Sequence, residues 1–169
     1  ERLDGSTEVD AQFLPDYIYA GRQLPDTLIE GCGYILDSDV WTGVENTWPV
    51  FIYTQLDEIE RCPSELKFLF MPYLMLTEEC VAFLARHPEV VLISQSNHAN
   101  RLGEHRALVH LLMVEELYNP VVFFQHYDED EAENLQIKSA ADMGALIFDG
   151  FCDGILLFNQ DSLPHTVVD

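Results

Sequence analysis

The residues able to do chemistry in this sequence cluster where apolar runs end. His98 closes Ile93-Ser94-Gln95-Ser96-Asn97-His98 and His126 closes Phe124-Gln125-His126. In a barrel of parallel strands, substrate-handling groups gather at those strand ends. Gln95, Asn97, Arg101 and His126, joined by Asp149, would therefore line one small-ligand pocket. The same groups must satisfy their own hydrogen bonds, so local structural roles are the competing reading. Asp149 belongs to the run Gly144-Ala145-Leu146-Ile147-Phe148-Asp149-Gly150-Phe151-Cys152-Asp153-Gly154-Ile155-Leu156-Leu157. This run reads as two apolar strands joined by Asp-Gly-Phe-Cys-Asp-Gly. Its glycines permit positive φ, and its aspartates can accept backbone N–H bonds. As a pair at a barrel mouth, the two acids could also do acid/base work.

Other constellations carry less. His105 and His110 are five apart and miss the i, i+4 spacing of a helical metal pair, while His87 and His165 stand alone. Cys32, Cys62, Cys80 and Cys152 form no C-x-x-C pair, so the expectation is reduced, mostly buried thiols. The acidic run Asp128-Glu129-Asp130-Glu131, with Glu133 beyond, lacks the spacing of a calcium loop and suits a helix N-terminus, where negative charge is favourable. No G-x-G-x-x-G, P-loop or G-x-S-x-G occurs. From residue types alone, no catalytic residue and no metal ligand is assigned.

The elements that must position these groups follow from periodicity. Short β-rich runs recur at 17–19, 34–36, 50–53, 66–70, 90–93, 121–124, 146–148 and 155–158, which makes eight candidate strands. Most are continuously apolar, the pattern of parallel strands covered on both faces. Helices fit between the later strands. Thr77 caps Glu78 and Glu79, and that helix ends near His87-Pro88. A second spans about 104–118 with Ala107, Leu111, Val114 and Tyr118 inward, and a third about 131–144 with Ile137, Ala140, Ala141 and Gly144 inward. Earlier, only a short helix over 54–61 fits, because the links holding Pro25, Gly31, Gly33, Gly43 and Pro49 are too short for full crossover helices. The fold class expected is α/β, a TIM-barrel-like and incomplete barrel with missing or shortened early helices. An open doubly wound sheet is the rival.

A chain of 169 residues, 48% hydrophobic, can bury one core. Its net charge of −22, with Lys67 and Lys138 its lysines, would repel nucleic acid, anionic membranes and an acidic electron-transfer protein. No apolar run reaches a membrane span, and the opening Glu1-Arg2-Leu3-Asp4 has neither an initiator Met nor the shape of a signal peptide. The expected division is a connector at 1–15, a barrel-like body at 16–160 and the start of a second connector at 161–169.

From Leu66 to Phe158 the order of features resembles the insert domain of the plant-like, three-domain form of hydroxymethylbutenyl diphosphate synthase, an enzyme of the methylerythritol phosphate route to isoprenoids. The likeness runs through a strand, a Thr-Glu-Glu helix, a second strand, the helix after Gly103-Glu104-His105-Arg106, then Asn119-Pro120-Val121-Val122, His126 and the Asp149 to Gly154 turn. Before Leu66 the composition is closer to the Bacteroidetes type. The resemblance implies a bacterial cytoplasmic protein in which a separate barrel binds a cyclic diphosphate and a separate domain carries a 4Fe-4S cluster. Those two domains of the same polypeptide are the implied partners, with neither nucleic acid nor membrane among them. The fragment itself is implied to hold no cofactor and to act as a non-catalytic positioning insert. The Asp149 to Gly154 turn is also similar to a turn in the family's catalytic barrel. Here Gly154 follows the second aspartate and basic phosphate ligands are scarce, so inherited substrate binding does not carry over.

Overall fold

The computed structural model describes residues 14–160; all but the last two residues of the connector expected at 1–15, and all of that expected at 161–169, with His165, lie outside the described residues. Seven strands, β1 (Tyr17–Gly21), β2 (Gly33–Asp37), β3 (Thr47–Ile52), β4 (Phe68–Phe70), β5 (Val91–Gln95), β6 (Val121–Tyr127) and β7 (Gly154–Asn159), form one parallel sheet in chain order. Four α-helices, α1 (Leu56–Arg61), α2 (Glu78–Arg86), α3 (Arg101–Val114) and α4 (Ala132–Phe148), and a 3₁₀ turn at Tyr73–Met75 lie between them. The sheet curls into a half-barrel, so that Tyr17–Tyr19 at one edge and Ile155–Phe158 at the other line the same concavity. The incomplete TIM-barrel-like architecture expected from the sequence is the one observed.

Register divides the side chains between two faces. Ile52, Phe70, Ile93, Val122 and Gly154 stand in one cross-strand row on the inner face. The outer face presents Phe51, Leu69, Leu92 and Phe123 to the helices, where Ile59, Phe83, Leu84, Leu108, Leu112, Met143 and Leu146 complete the main core. Burial on both faces, expected for most of the strands, holds for β2, all but the last of whose residues are buried. It fails for β3 and β6, whose burial alternates, because no second layer covers the inner face.

Three expectations are corrected. Residues 146–148 are the last turn of α4, not an eighth strand: Leu146 is fully buried while Phe148 is 92% exposed. The helix then stops in a Schellman motif, with Gly150 at φ 71°, its N–H donating to Ile147 O and that of Phe151 donating to Leu146 O. The Asp149 to Gly154 turn thus joins a helix to a strand. The inward stripes also differ. α3 buries His105, Leu108, Val109 and Leu112 and leaves Val114 exposed, and Tyr118, expected on the same helix, is exposed beyond its end. α4 buries Met143 and Leu146, with Ile137, Ala140 and Ala141 exposed.

The early links hold together without full helices. In the β1–β2 link the Ile29 N–H donates to the Tyr34 hydroxyl at 2.8 Å. Trp41, in the β2–β3 link, donates its indole N–H to both Thr47 O and Thr47 Oγ1 at 3.1 Å. Later links have proper caps: Thr77 Oγ1 accepts from the Cys80 N–H, and Asn100 Oδ1 accepts from the Gly103 N–H.

Candidate functional site

The C-terminal ends of β5 and β6 carry the densest polar network. Ser94, on the outer face of β5, is buried, and past Gln95 the chain turns sharply into α3. The Ser96 hydroxyl donates to the Glu104 carboxylate and accepts from the His98 N–H; His98 Nδ1 accepts from the Asn100 N–H at 3.0 Å. Arg101, opening α3, reaches across to α4, where its guanidinium donates to Asp142 Oδ2 at 3.1 Å. Tyr127, at the end of β6, donates its hydroxyl to the same oxygen at 3.1 Å. Burial, and then Asp142, push the Tyr127 phenol well above its usual range, so it stays protonated and keeps donating.

His105 lies beneath this network, 2% exposed, its ring centroid 4.2 Å from that of Phe123. Burial pushes its pKa down to about 4 against the opposing pull of Glu104 and Asp142. It is therefore a neutral ring in the core at pH 7. Ser94 Oγ, Gln125 Oε1, His105 Nε2 and His126 Nε2 are buried with no hydrogen-bond partner among the described residues.

The five residues expected to share a pocket are not all brought together. Gln95 and His126 sit on the inner face near the strand ends, His126 with its ring 5.3 Å from that of Phe158. Asn97 is exposed in the loop beyond β5. Arg101 is engaged by Asp142, on the helix side of the sheet. Asp149 closes α4 at the opposite end of the sheet, where β7 starts, and is held by Arg106 at 2.5 Å. Its neighbour Asp153 does what the sequence suggested for a turn aspartate: Oδ2 accepts from the Val121 N–H at 2.8 Å while its own N–H returns a bond to Val121 O.

A separate concavity of about 950 Å³ opens on the inner face, floored by Val50, Phe70, Ile93, Phe124 and Leu156. Polar groups reach its rim from β1, β2 and the loops after them, but they are already paired: Tyr19 donates to Asp37 Oδ1 at 2.7 Å, and Arg22 pairs with Asp39 at 2.7 Å. Burial and Asp37 push the Tyr19 phenol up to about 12. None of Gln95, Asn97, Arg101, His126 and Asp149 lines this space.

The residues that organise the network and escaped the sequence reading are Asp142, Tyr127 and Ser96. Asp142 alone gave a signal, a single acid among Ala140, Ala141 and Met143 on an otherwise small or apolar stretch of helix.

The cysteines do not assemble a cluster site. Cys32 precedes β2, Cys62 caps α1, Cys80 is on α2 and Cys152 lies between α4 and β7. Burial raises the pKa of the Cys32 and Cys152 thiols, which disfavours the thiolate a metal needs. Among the described residues no group of three or more His, Cys, Asp or Glu could hold a metal ion, so a 4Fe-4S cluster does not fit the residues present. No helix among them is long and apolar enough to cross a membrane.

Comparison with known proteins finds no matching family model and no matching solved structure. Curated relatives do match along all of this chain. A protein of Bacteroides thetaiotaomicron named 4-hydroxy-3-methylbut-2-en-1-yl diphosphate synthase (flavodoxin) is 69% identical over 169 residues. Proteins of the same name from Bacteroides fragilis and Phocaeicola vulgatus are 64% and 56% identical over 169 and 170 residues. The chain spans 28%, 27% and 28% of the lengths of these three relatives.

Proposed function

The chain belongs to the 4-hydroxy-3-methylbut-2-en-1-yl diphosphate synthase family as a segment of it, and on that premise we propose that it is a non-catalytic positioning insert, residues 16–160 forming its body. The parent polypeptide, on this reading, reductively converts 2-C-methyl-D-erythritol 2,4-cyclodiphosphate in cytoplasmic isoprenoid biosynthesis. Its catalytic barrel and its 4Fe-4S domain are the insert's partners, and residues 1–15 and 161–169 lead towards them.

The observation that carries this reading is how the polar groups are used. Arg101 and Tyr127 both bind Asp142, and Arg106 is paired with Asp149, Tyr19 with Asp37 and Arg22 with Asp39. Such closed sets fix elements in place, whereas catalysis needs an acid, base or nucleophile turned toward open space. A diphosphate would also need cations, and Arg22, Arg101 and Arg106 are each engaged by a carboxylate. The relatives' name includes flavodoxin; with a net charge of −22, this segment would deflect any donor that is itself acidic towards another part of the polypeptide.

The test is made on the parent enzyme. Residues equivalent to 16–160 are excised, the cluster is reconstituted anaerobically, and turnover is followed alongside sedimentation. Lost turnover with an intact cluster is the expected result. Unchanged turnover, or tight binding of the cyclic diphosphate by the segment itself, would sink the positioning role.

A second reading, a degenerate barrel holding a small ligand, draws on the apolar concavity rather than on the five strand-end residues first considered. An apolar ligand recovered with the purified enzyme, and lost on Phe124→Asp, would favour it.

A further inference from the structure

Three side chains around Phe123 are buried with a polar atom left over. Ser94, His105 and Gln125 are 1%, 2% and 2% exposed, and Ser94 Oγ, His105 Nε2 and Gln125 Oε1 meet no hydrogen-bond partner among the described residues. They converge on one ring at the outer face of the sheet. Ser94 pairs in register with Phe123, Gln125 is the next residue on the same face of β6, and His105 reaches down from α3 to set its ring centroid 4.2 Å from that of Phe123.

The neighbouring polar groups are committed elsewhere. The Ser96 hydroxyl is bonded to Glu104 and to the His98 N–H, and Asp142 is taken by Arg101 and Tyr127. The Gln125 amide is oriented by its Nε2, which donates to His126 O at 3.1 Å, so the atom left over is an acceptor that needs a donor. Burial of such groups without partners costs stability, and proteins meet them with internal waters that make about 3 hydrogen bonds each.

We propose that Ser94 Oγ, His105 Nε2 and Gln125 Oε1 together bind one internal water molecule between β5, β6 and α3. Its hydrogens balance. One goes to Gln125 Oε1; of Ser94 and His105, one accepts the second while the other donates to the water oxygen, since a hydroxyl and a neutral imidazole nitrogen can each take either part. The ring is neutral at pH 7, burial having pushed its pKa down to about 4. An anion does not fit, because Gln125 Oε1 offers it no donor and the charges of Glu104 and Asp142 already act on His105. A bare cation would meet three neutral groups, the two carboxylates being turned to Ser96 and to Arg101 and Tyr127. The water ties α3 to two strands beneath the Arg101, Asp142 and Tyr127 set, whether or not the segment acts as a positioning insert.

The test uses the full-length protein and needs no turnover. A crystal structure that resolves ordered water should show one peak within about 2.7–3.2 Å of all three atoms. Ser94→Val replaces the hydroxyl with a methyl group, so the peak should be lost. In solution, oxygen-17 relaxation dispersion should count one fewer long-lived water in that variant than in the parent. Two of the three side chains bonded directly to each other, with no peak between them, would overturn the proposal. So would a peak that touches only one of them, or equal counts of long-lived waters in the two proteins. The parent crystal decides the matter by itself if Ser94→Val does not fold.

Discussion

The half-barrel holds two ways of building the same parallel sheet. β5 and β6 are each followed by a helix that covers the sheet, and the buried side chains form one core through Leu92, Leu108, Phe123, Met143 and Leu146. Before β4 the links 22–32 and 38–46 contain no helix, and cover comes from single side chains hydrogen-bonded to backbone, such as Tyr34 and Trp41. The later half is stabilised by area and the earlier half by fit. Area tolerates exchange of one apolar group for another of similar size, while fit depends on particular contacts.

Truncating Phe123 tests the first half of that contrast and should have the largest effect. It is fully buried at the centre of the later core, so Phe123→Ala should cost about 3–5 kcal/mol, read from the urea midpoint at unchanged slope. Phe123→Leu, which refills most of the space, should recover much of it.

Acid should act on the same region. His105 has its pKa pushed from 6.5 in the unfolded chain down to about 4 in the folded one, mainly by burial. The unfolded chain therefore takes up the proton first. The stability due to the neutral ring is whole above pH 6.5 and falls as pH drops from 6.5 towards 4, by up to about 3 kcal/mol. Urea midpoints compared over that window should show a shallower decline for His105→Leu than for the parent. Equal slopes would mean that the carboxylates account for all of the acid sensitivity.

In the earlier half the sensitive position is Gly33. A Cβ built there would stand 2.4 Å from a ring carbon of Trp48 and 2.7 Å from one of Tyr17, whose rings meet edge to face with centroids 5.3 Å apart. Gly33→Ala should cost about 1–3 kcal/mol by forcing that pair apart, and near-ultraviolet circular dichroism should show the tryptophan environment change. A neutral Gly33→Ala would end the claim that this half depends on fit.

The same contrast explains what the sequence disclosed. All seven strands were legible, because continuous apolar runs bounded by Gly, Pro and Asn mark strands however they are joined, but the same signal also marked 146–148, the last turn of α4. Helix faces were not. α3 carries Ala107, Leu108, Val109, Leu111, Leu112, Met113 and Val114 in near succession, so no 3.6-residue period singles out its inner side. The residue that does mark it, His105, is polar and reads as exposed. On α4 the inward side is partly occupied by Asp142, whose charge argues for solvent until Arg101 and Tyr127 are seen to meet it. Among the candidate site residues, Gln95, Asn97, Arg101 and His126 lie about the ends of β5 and β6. Asp149 lies at the opposite end of the sheet, because 146–148, read as a strand, is the last turn of α4.

The smallest effects are expected where α3 and α4 end, and they bear on why 146–148 misled. Both helices close with the same pair of bonds: Glu116 N–H to Met113 O with Leu117 N–H to Leu112 O, and Gly150 N–H to Ile147 O with Phe151 N–H to Leu146 O. In each, a buried or half-buried apolar residue, Leu117 or Phe151, follows the residue at positive φ and packs into the core. The residue at the turn differs: Gly150 adopts φ 71° without strain, while Glu116 is held at φ 54°, where a Cβ is unfavourable. Gly150→Ala should therefore cost about 1 kcal/mol, and Glu116→Gly should gain up to about 1 kcal/mol, both read from urea midpoints. Opposite signs at two matched caps would locate the stopping signal in the left-handed residue and not in the apolar run before it. If both changes destabilise alike, the Glu116 side chain contributes more than its backbone geometry loses, and the two caps are not equivalent.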